Sequence, residues 1–195
     1  MLMFLSAVAG GFPGIALAAD SSPSKAPAGT YVLDKAHASV TGKILHVGLS
    51  YFTFNFTDFD ASYTYDPAQP TKAQVKVSLK PASVRTGVAA LDTELAGSKF
   101  FNVAQYPDIS FSSTSITPGS GNKGVMTGTL TMMGKSKTVS LPVVYHGYAT
   151  LGSAQKMGFS GTLNVKRSDF GMTALVGPVA DDVALAIEVE FALKK

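Results

Sequence analysis

Proton transfer and metal binding near neutral pH fall most often to histidine, and this chain has three, His37, His46 and His146. None has the H-x-H or H-E-x-x-H spacing that aims two imidazoles at one metal. Each is expected to be a hydrogen-bonded structural residue. Gly158-Phe159-Ser160-Gly161 is one residue short of the G-x-S-x-G elbow, which also needs a strand-to-helix turn. Gly119-Ser120-Gly121-Asn122-Lys123-Gly124 matches G-x-G-x-x-G, but it joins two strand-like segments, with no helix N-terminus to hold a pyrophosphate. Asp58 and Asp60 sit at strand spacing and read as solvated acids, and Asn55-Phe56-Thr57 is a common chance sequon. With no cysteine there is no thiol nucleophile, disulfide or thiolate metal site. No catalytic residue, metal site or cofactor is assigned, and the protein is not expected to be an enzyme.

The elements around these residues are strands. Val183, Leu185, Ile187, Val189, Phe191 and Leu193 alternate with small or charged residues over one long segment. Val75-Val77-Leu79, Val139-Leu141-Val143-Tyr145 and Phe159-Leu163-Val165 repeat the period of two. Further strands are expected near 38–48, 51–65, 107–117 and 124–133, about eight in all. Within 88–96, Val88, Leu91 and Leu95 switch to helical spacing, which predicts one short helix ending at Gly97. The fold class is therefore all-β, an eight-stranded antiparallel lipocalin-like barrel with one short helix. Closure removes edge strands, and eight strands enclose packed side chains or one small ligand. A membrane-spanning barrel is disfavoured by the short loops, the absence of tryptophan and the Lys194-Lys195 terminus.

Length and charge agree with one domain. The 195 residues carry a net charge of +3 with only 15% charged residues, and the fourteen lysines are scattered from Lys25 to Lys195. Nucleic-acid binders concentrate such charges into a stripe, so no nucleic-acid partner is expected. Residues 1–19 contain no charge and end Ala16-Leu17-Ala18-Ala19, as a secretory signal peptide would. Residues 20–29, rich in Ser, Pro and Ala, read as a flexible leader, and 30–195 as the barrel domain.

Aromatic residues are concentrated where an interior should be. Phe52, Phe54 and Phe56 share one strand face, with Tyr51, Phe59, Tyr63 and Tyr65 expected on the other. Phe100, Phe101, Tyr106 and Phe111 follow the helix. Beyond ordinary packing, this composition suits a greasy tunnel that accepts a long apolar tail.

The ordered motifs carry a resemblance. Tyr31-x-x-Asp34-x-x-His37-x-Ser39-Val40, His46-x-Gly48-x-Ser50, Ser83-Val84-x-Thr86 and Leu91-Asp92-x-x-Leu95 come first. Phe100-Phe101-x-x-x-x-Tyr106-Pro107-x-Ile109-x-Phe111, Gly128-x-Leu130-Thr131-x-x-Gly134 and Arg167-Ser168-Asp169-Phe170-Gly171-Met172 follow. Together they resemble the YceI-like family of periplasmic lipid-binding proteins. The resemblance implies a lipocalin-like barrel that holds an isoprenoid chain (a quinone tail or polyprenyl lipid) or another long-chain lipid in the periplasm. It departs from the family at Glu94, where a histidine is usual, and at Phe54, where a glycine is usual. An inward Phe54 would shorten the tunnel; an outward one would change little.

On this reading His46, Phe52, Phe54, Phe56, Leu95, Phe101, Phe111, Phe159, Leu185, Ile187 and Val189 line a lipid tunnel. Glu94, Arg167 and Asp169 are the further polar candidates, although an Arg167–Asp169 ion pair bracing a turn is the simpler role for those two. Two alternatives stay open. One is an accessory module docking with a b-type cytochrome or other membrane redox protein; the other is an enzyme acting on a bound lipid through His46. The oligomeric state is also open, a homodimer included.

Overall fold

The computed structural model describes residues 19–195, so the expected signal peptide lies outside the described residues apart from Ala19. Ten strands follow in chain order: β1 (Gly29–His46), β2 (Ser50–Phe56), β3 (Phe59–Tyr65), β4 (Gln74–Leu79), β5 (Val84–Arg85), β6 (Ile109–Pro118), β7 (Lys123–Met132), β8 (Lys135–Leu151), β9 (Ala154–Lys166) and β10 (Val179–Leu193). The helix α1 (Ala89–Ala96) lies between β5 and β6. All pairings between these strands are antiparallel. The sheet closes through β1–β10 into a ring of β1, β3, β4, β6, β7, β8, β9 and β10. The expected eight-stranded barrel with one helix is what forms.

The two additional strands arise from interruptions. The segment expected as one strand over 51–65 breaks at Thr57 and Asp58. β2 pairs with the second half of β1 (His46↔Ser50 to Val40↔Phe56), and β3 pairs with its first half (Gly29↔Tyr65 to Val32↔Ser62). Ser83 holds the break open. Its Oγ accepts from the backbone N–H of Asp58 at 3.0 Å and of Thr57 at 3.2 Å, and donates to the Lys80 carbonyl at 2.7 Å. The inward positions run 52, 54, 56 and then 59, 61, 63, 65, so the break shifts the alternation by one residue and moves the following side chains to the opposite face. Phe59, Tyr63 and Tyr65 therefore face the interior with Phe52, Phe54 and Phe56. The expectation that they lie on the outer face is corrected; Tyr51, ahead of the break, does point outward.

Helix α1 is fastened by a carboxylate. Asp92 Oδ1 accepts from the Thr86 N–H at 2.7 Å and the Thr86 hydroxyl at 2.6 Å, which pulls its carboxyl below the usual range. α1 ends at Gly97, whose φ of −71° is not left-handed. An added Cβ there would lie 3.0 Å from the Glu94 carbonyl.

The opposite end of the barrel is crossed by the N-terminal segment. Asp20 and Tyr148 exchange backbone hydrogen bonds at 2.8 and 2.9 Å. The Tyr31 and Tyr65 hydroxyls donate to the Pro27 and Pro23 carbonyls at 2.7 and 2.9 Å, and Ala26 is buried. The stretch expected as a flexible leader is thus a strap across the barrel, held by tyrosines from β1 and β3.

Candidate functional site

Side chains that alternate inward from the ring leave a cavity of about 700 Å³ along the barrel interior. That volume is in the range of small-molecule sites, roughly 300–1,000 Å³. From β10 come Leu185, Ile187 and Val189, and from β9 comes Phe159; Phe52, Phe54 and Phe56 come from β2. Phe111 of β6, Leu95 of α1 and Phe101 just after it complete the apolar part of the expected lining. The outward partners on β10 include Glu188 and Glu190, so polarity runs from an apolar interior to a charged exterior, opposite to a membrane barrel.

Glycines make room for the aromatic wall. Phe54 points inward and its ring covers Gly42, the residue it faces in the β1–β2 ladder. A Cβ on Gly42 would overlap that ring. Phe111 covers Gly128 of β7 in the same way. The Phe54 ring also meets Phe56 edge-on at 5.8 Å, and Phe56 meets Phe101 at 5.8 Å. These contacts join the three rings into one aromatic stretch of wall next to the helix.

Polar groups are few and mostly lie at the ends. His46, at the end of β1, and Glu94, on α1, are exposed and border the cavity at the helix end, as the exposed Asn122 and Lys123 do at the other. Leu175, 57% exposed, borders the cavity at the helix end with His46 and Glu94. Deeper in the wall, Tyr63 and Tyr145 contribute phenol rings, and Phe159 packs against both at 5.4 and 5.3 Å. Burial pushes both hydroxyls well above the usual phenol range, so they stay protonated. The Tyr145 hydroxyl is buried without a hydrogen-bond partner among the described residues. Composition gave no sign of this orphan donor, because the alternation that places Tyr145 inward says nothing about what meets its tip.

Arg167 borders the cavity but is committed elsewhere. Its Nε donates to the Ala180 carbonyl at 2.9 Å and its Nη2 to that of Val179 at 3.1 Å. Its Nη1 donates to Ala174 at 2.6 Å and to Met172 at 3.3 Å. The guanidinium is buried and ties residues 172–180 together, and burial lowers its pKa against the opposing pull of Asp181. The expected ion pair with Asp169 does not form: Asp169 is exposed and does not border the cavity. The local carboxylate partner is Asp181, which accepts from the Ser168 N–H at 2.9 Å and the Ser168 hydroxyl at 2.6 Å.

Two polar groupings lie on the outer face and were not legible as clusters in sequence. Asp34, His37 and Glu190 converge, with the Lys156 ammonium 2.5 Å from Asp34 Oδ2 and 3.0 Å from Glu190 Oε2. The cation these carboxylates meet is that ammonium, and its hydrogen bond holds the Asp34 carboxyl at about 2. Nearby, Ser160 Oγ donates to the Glu188 carboxylate and lies 2.5 Å from His146 Nε2. In a catalytic triad the imidazole stands between serine and acid. Here the serine stands between the other two, so the histidine–acid contact that orients the imidazole in a triad is not made.

The fold and cavity define a class, closed antiparallel barrels with an elongated apolar interior. The chain belongs to the YceI-like family: the model of the YceI-like domain matches residues 31–191. A UPF0312 protein of Azotobacter vinelandii is 36% identical over 169 residues, covering 85% of this chain and 88% of that protein. Among solved structures, Burkholderia cenocepacia BcnA superposes with a TM-score of 0.72 at 30% identity, covering 81% of this chain and 98% of that one. The Campylobacter jejuni YceI protein gives 0.70 at 36% identity, covering 78% and 91%. A domain of Saccharophagus degradans, described as polyisoprenoid binding, shares the fold at 0.65 and 13% identity, covering 84% and 98%.

Proposed function

We propose that this protein is a non-enzymatic carrier that holds the hydrocarbon tail of a long-chain lipid, of the isoprenoid class, inside its barrel. The observation that carries the reading is the 700 Å³ cavity, long, aromatic-lined and almost without polar groups except near its ends. Each methylene moved from water into such an interior contributes about 0.8 kcal/mol. About fifteen carbons therefore supply roughly 12 kcal/mol, comparable with the roughly 4–15 kcal/mol cost of association. Neutral tyrosine rings tolerate a hydrocarbon neighbour, and His46 and Glu94 at the helix end are placed to meet a polar head. Support for an isoprenoid comes from the fold shared with the polyisoprenoid-binding domain of Saccharophagus degradans. The apolar, uncharged stretch 1–19 supports export and a periplasmic site of action.

The experiment is extraction of the protein purified from its native host, followed by mass spectrometry. A stoichiometric long-chain prenyl lipid is the expected result. Lipid no more abundant than in a control protein would overturn the reading. Phe111→Glu, which puts a carboxylate into the wall, is expected to expel that lipid.

A further inference from the structure

Nine large apolar side chains are exposed among the described residues, and five of them, Val47, Leu49, Tyr51, Leu175 and Val176, gather at the helix end of the barrel. Four sit on two loops that touch: the β1–β2 turn and the loop before β10. The Val47 N–H donates to the Pro178 carbonyl at 2.7 Å. Leu49, at the tip, is 84% exposed. Leu175 and His46 are exposed and also border the cavity, so these loops flank its helix end. The tips are held in costly backbone conformations. Val47 and Leu175 have φ of 45° and 56°, the left-handed region that L side chains avoid and β-branched ones avoid most.

Behind the tips the chemistry changes in order. Tyr51 follows Leu49 by two residues, and the Lys43 ammonium lies over its ring at 5.1 Å. Neither Lys43 nor Lys135, which lies against Gly171 at this end, forms an ion pair among the described residues. An apolar tip followed by an aromatic ring and a snorkelling lysine is the gradient found where protein crosses from hydrocarbon into lipid headgroups.

We propose that this end of the barrel docks on a lipid bilayer. Leu49 and Leu175 enter the acyl region, and Tyr51 and Lys43 lie at headgroup level. The order of the chemistry favours a bilayer over a protein or a second copy, because apolar tips backed by an aromatic ring and then by a lysine match the passage from hydrocarbon to headgroups. A tail leaving by this end then passes into hydrocarbon without crossing water; that purpose rests on the carrier reading, whereas docking itself rests on the loops.

The test is flotation of the purified wild-type protein with phosphatidylcholine vesicles, with and without phosphatidylglycerol. Wild type is expected to float, more strongly with the anionic lipid. Leu49→Asp and Leu175→Asp, and the milder Leu49→Ser, are expected to reduce the bound fraction about tenfold, with thermal melting unchanged. Lys43→Glu is expected to remove mainly the anionic-lipid gain. Leu49→Asp should still hold lipid delivered in detergent, and Phe111→Glu should float although empty, so failure of docking and failure of lipid carriage read out separately. Docking is overturned if wild type floats no better than an unrelated soluble protein, or if the aspartate variants float equally well. It is also overturned if the loops prove to mediate self-association, seen as a wild-type dimer in sedimentation that Leu49→Asp abolishes.

Discussion

The ring of Phe54 covers the Cα of Gly42 across the β1–β2 ladder, and the space the ring occupies is that of the missing Cβ. An aromatic ring laid on a cross-strand glycine restores the packing that glycine lacks. Phe54 is thereby fixed inward, in the wall next to α1, instead of swinging to solvent. Gly42→Ala is expected to displace the ring and destabilise the fold by about 1–3 kcal/mol, the usual cost of overpacking. Combining it with Phe54→Leu should recover part of that loss, and a double-mutant cycle by chemical denaturation measures the coupling. Additive effects would mean that the ring does not depend on the glycine.

Arg167 is expected to matter for folding more than for ligand choice. Four carbonyls, those of Met172 and Ala174 in the loop and of Val179 and Ala180 at the start of β10, accept from its guanidinium. Arg167→Ala leaves them underpaired in a buried setting and is expected to cost about 3 kcal/mol. Arg167→Lys should recover little, because a compact ammonium cannot reach all four as a planar fork does. Equilibrium unfolding of both variants checks this. If Arg167→Ala kept full stability but lost lipid, the residue would belong to the site.

The division between what alternation shows and what it hides follows from these residues. The strands and their inward faces are local: Leu185-Ala186-Ile187-Glu188-Val189 places three side chains inward whatever the rest of the chain does. The break at Thr57 is not local, because it depends on Ser83, 26 residues away. Without it Phe59, Tyr63 and Tyr65 read as outward. The strap over 20–28 has the composition of a linker, and its anchors, Tyr31 and Tyr65, lie on strands. The partners of Arg167 are backbone carbonyls, which carry no sequence signature. Much of what makes the motifs recognisable is architecture of this kind: Ser83 at the break, Thr86 and Asp92 at the helix, and Gly134, whose added Cβ would stand 3.0 Å from Tyr106.

Tyr145 predicts a stabilising substitution. Its buried hydroxyl has no protein partner among the described residues, and an unsatisfied buried donor costs about 1–3 kcal/mol. Tyr145→Phe is expected to raise the stability of ligand-free protein by about 1 kcal/mol, read as a higher denaturation midpoint with an unchanged slope. A lower midpoint would show that the hydroxyl is satisfied, for instance by an ordered water.

The outer cluster around Asp34 gives the barrel an acid-sensitive tie from β1 across β10 to β9, at the bulge in the β1–β10 ladder between Leu33 and Ala38. The Lys156 hydrogen bond, then those from His37 and the Ala36 N–H, hold the Asp34 carboxyl at about 2 against an ordinary 3.8. Because the folded value lies below the unfolded one, the contribution is fully present above about pH 4 and is lost as pH falls through about 2. The side chain is partly exposed, so solvent screening limits the effect to about 1 kcal/mol. The Lys156 ammonium is shifted the opposite way, upward, by the same carboxylates. Its contribution is complete below its ordinary value of 10.5 and is lost only as pH rises through the higher folded value. Asp34→Asn is therefore expected to lower stability at pH 6 and to flatten the acid limb between pH 4 and 2, where it should converge on wild type. Urea denaturation at pH 6, 4 and 2.5 measures this; parallel curves for the two proteins would show that Asp34 titrates alike in the folded and unfolded chain.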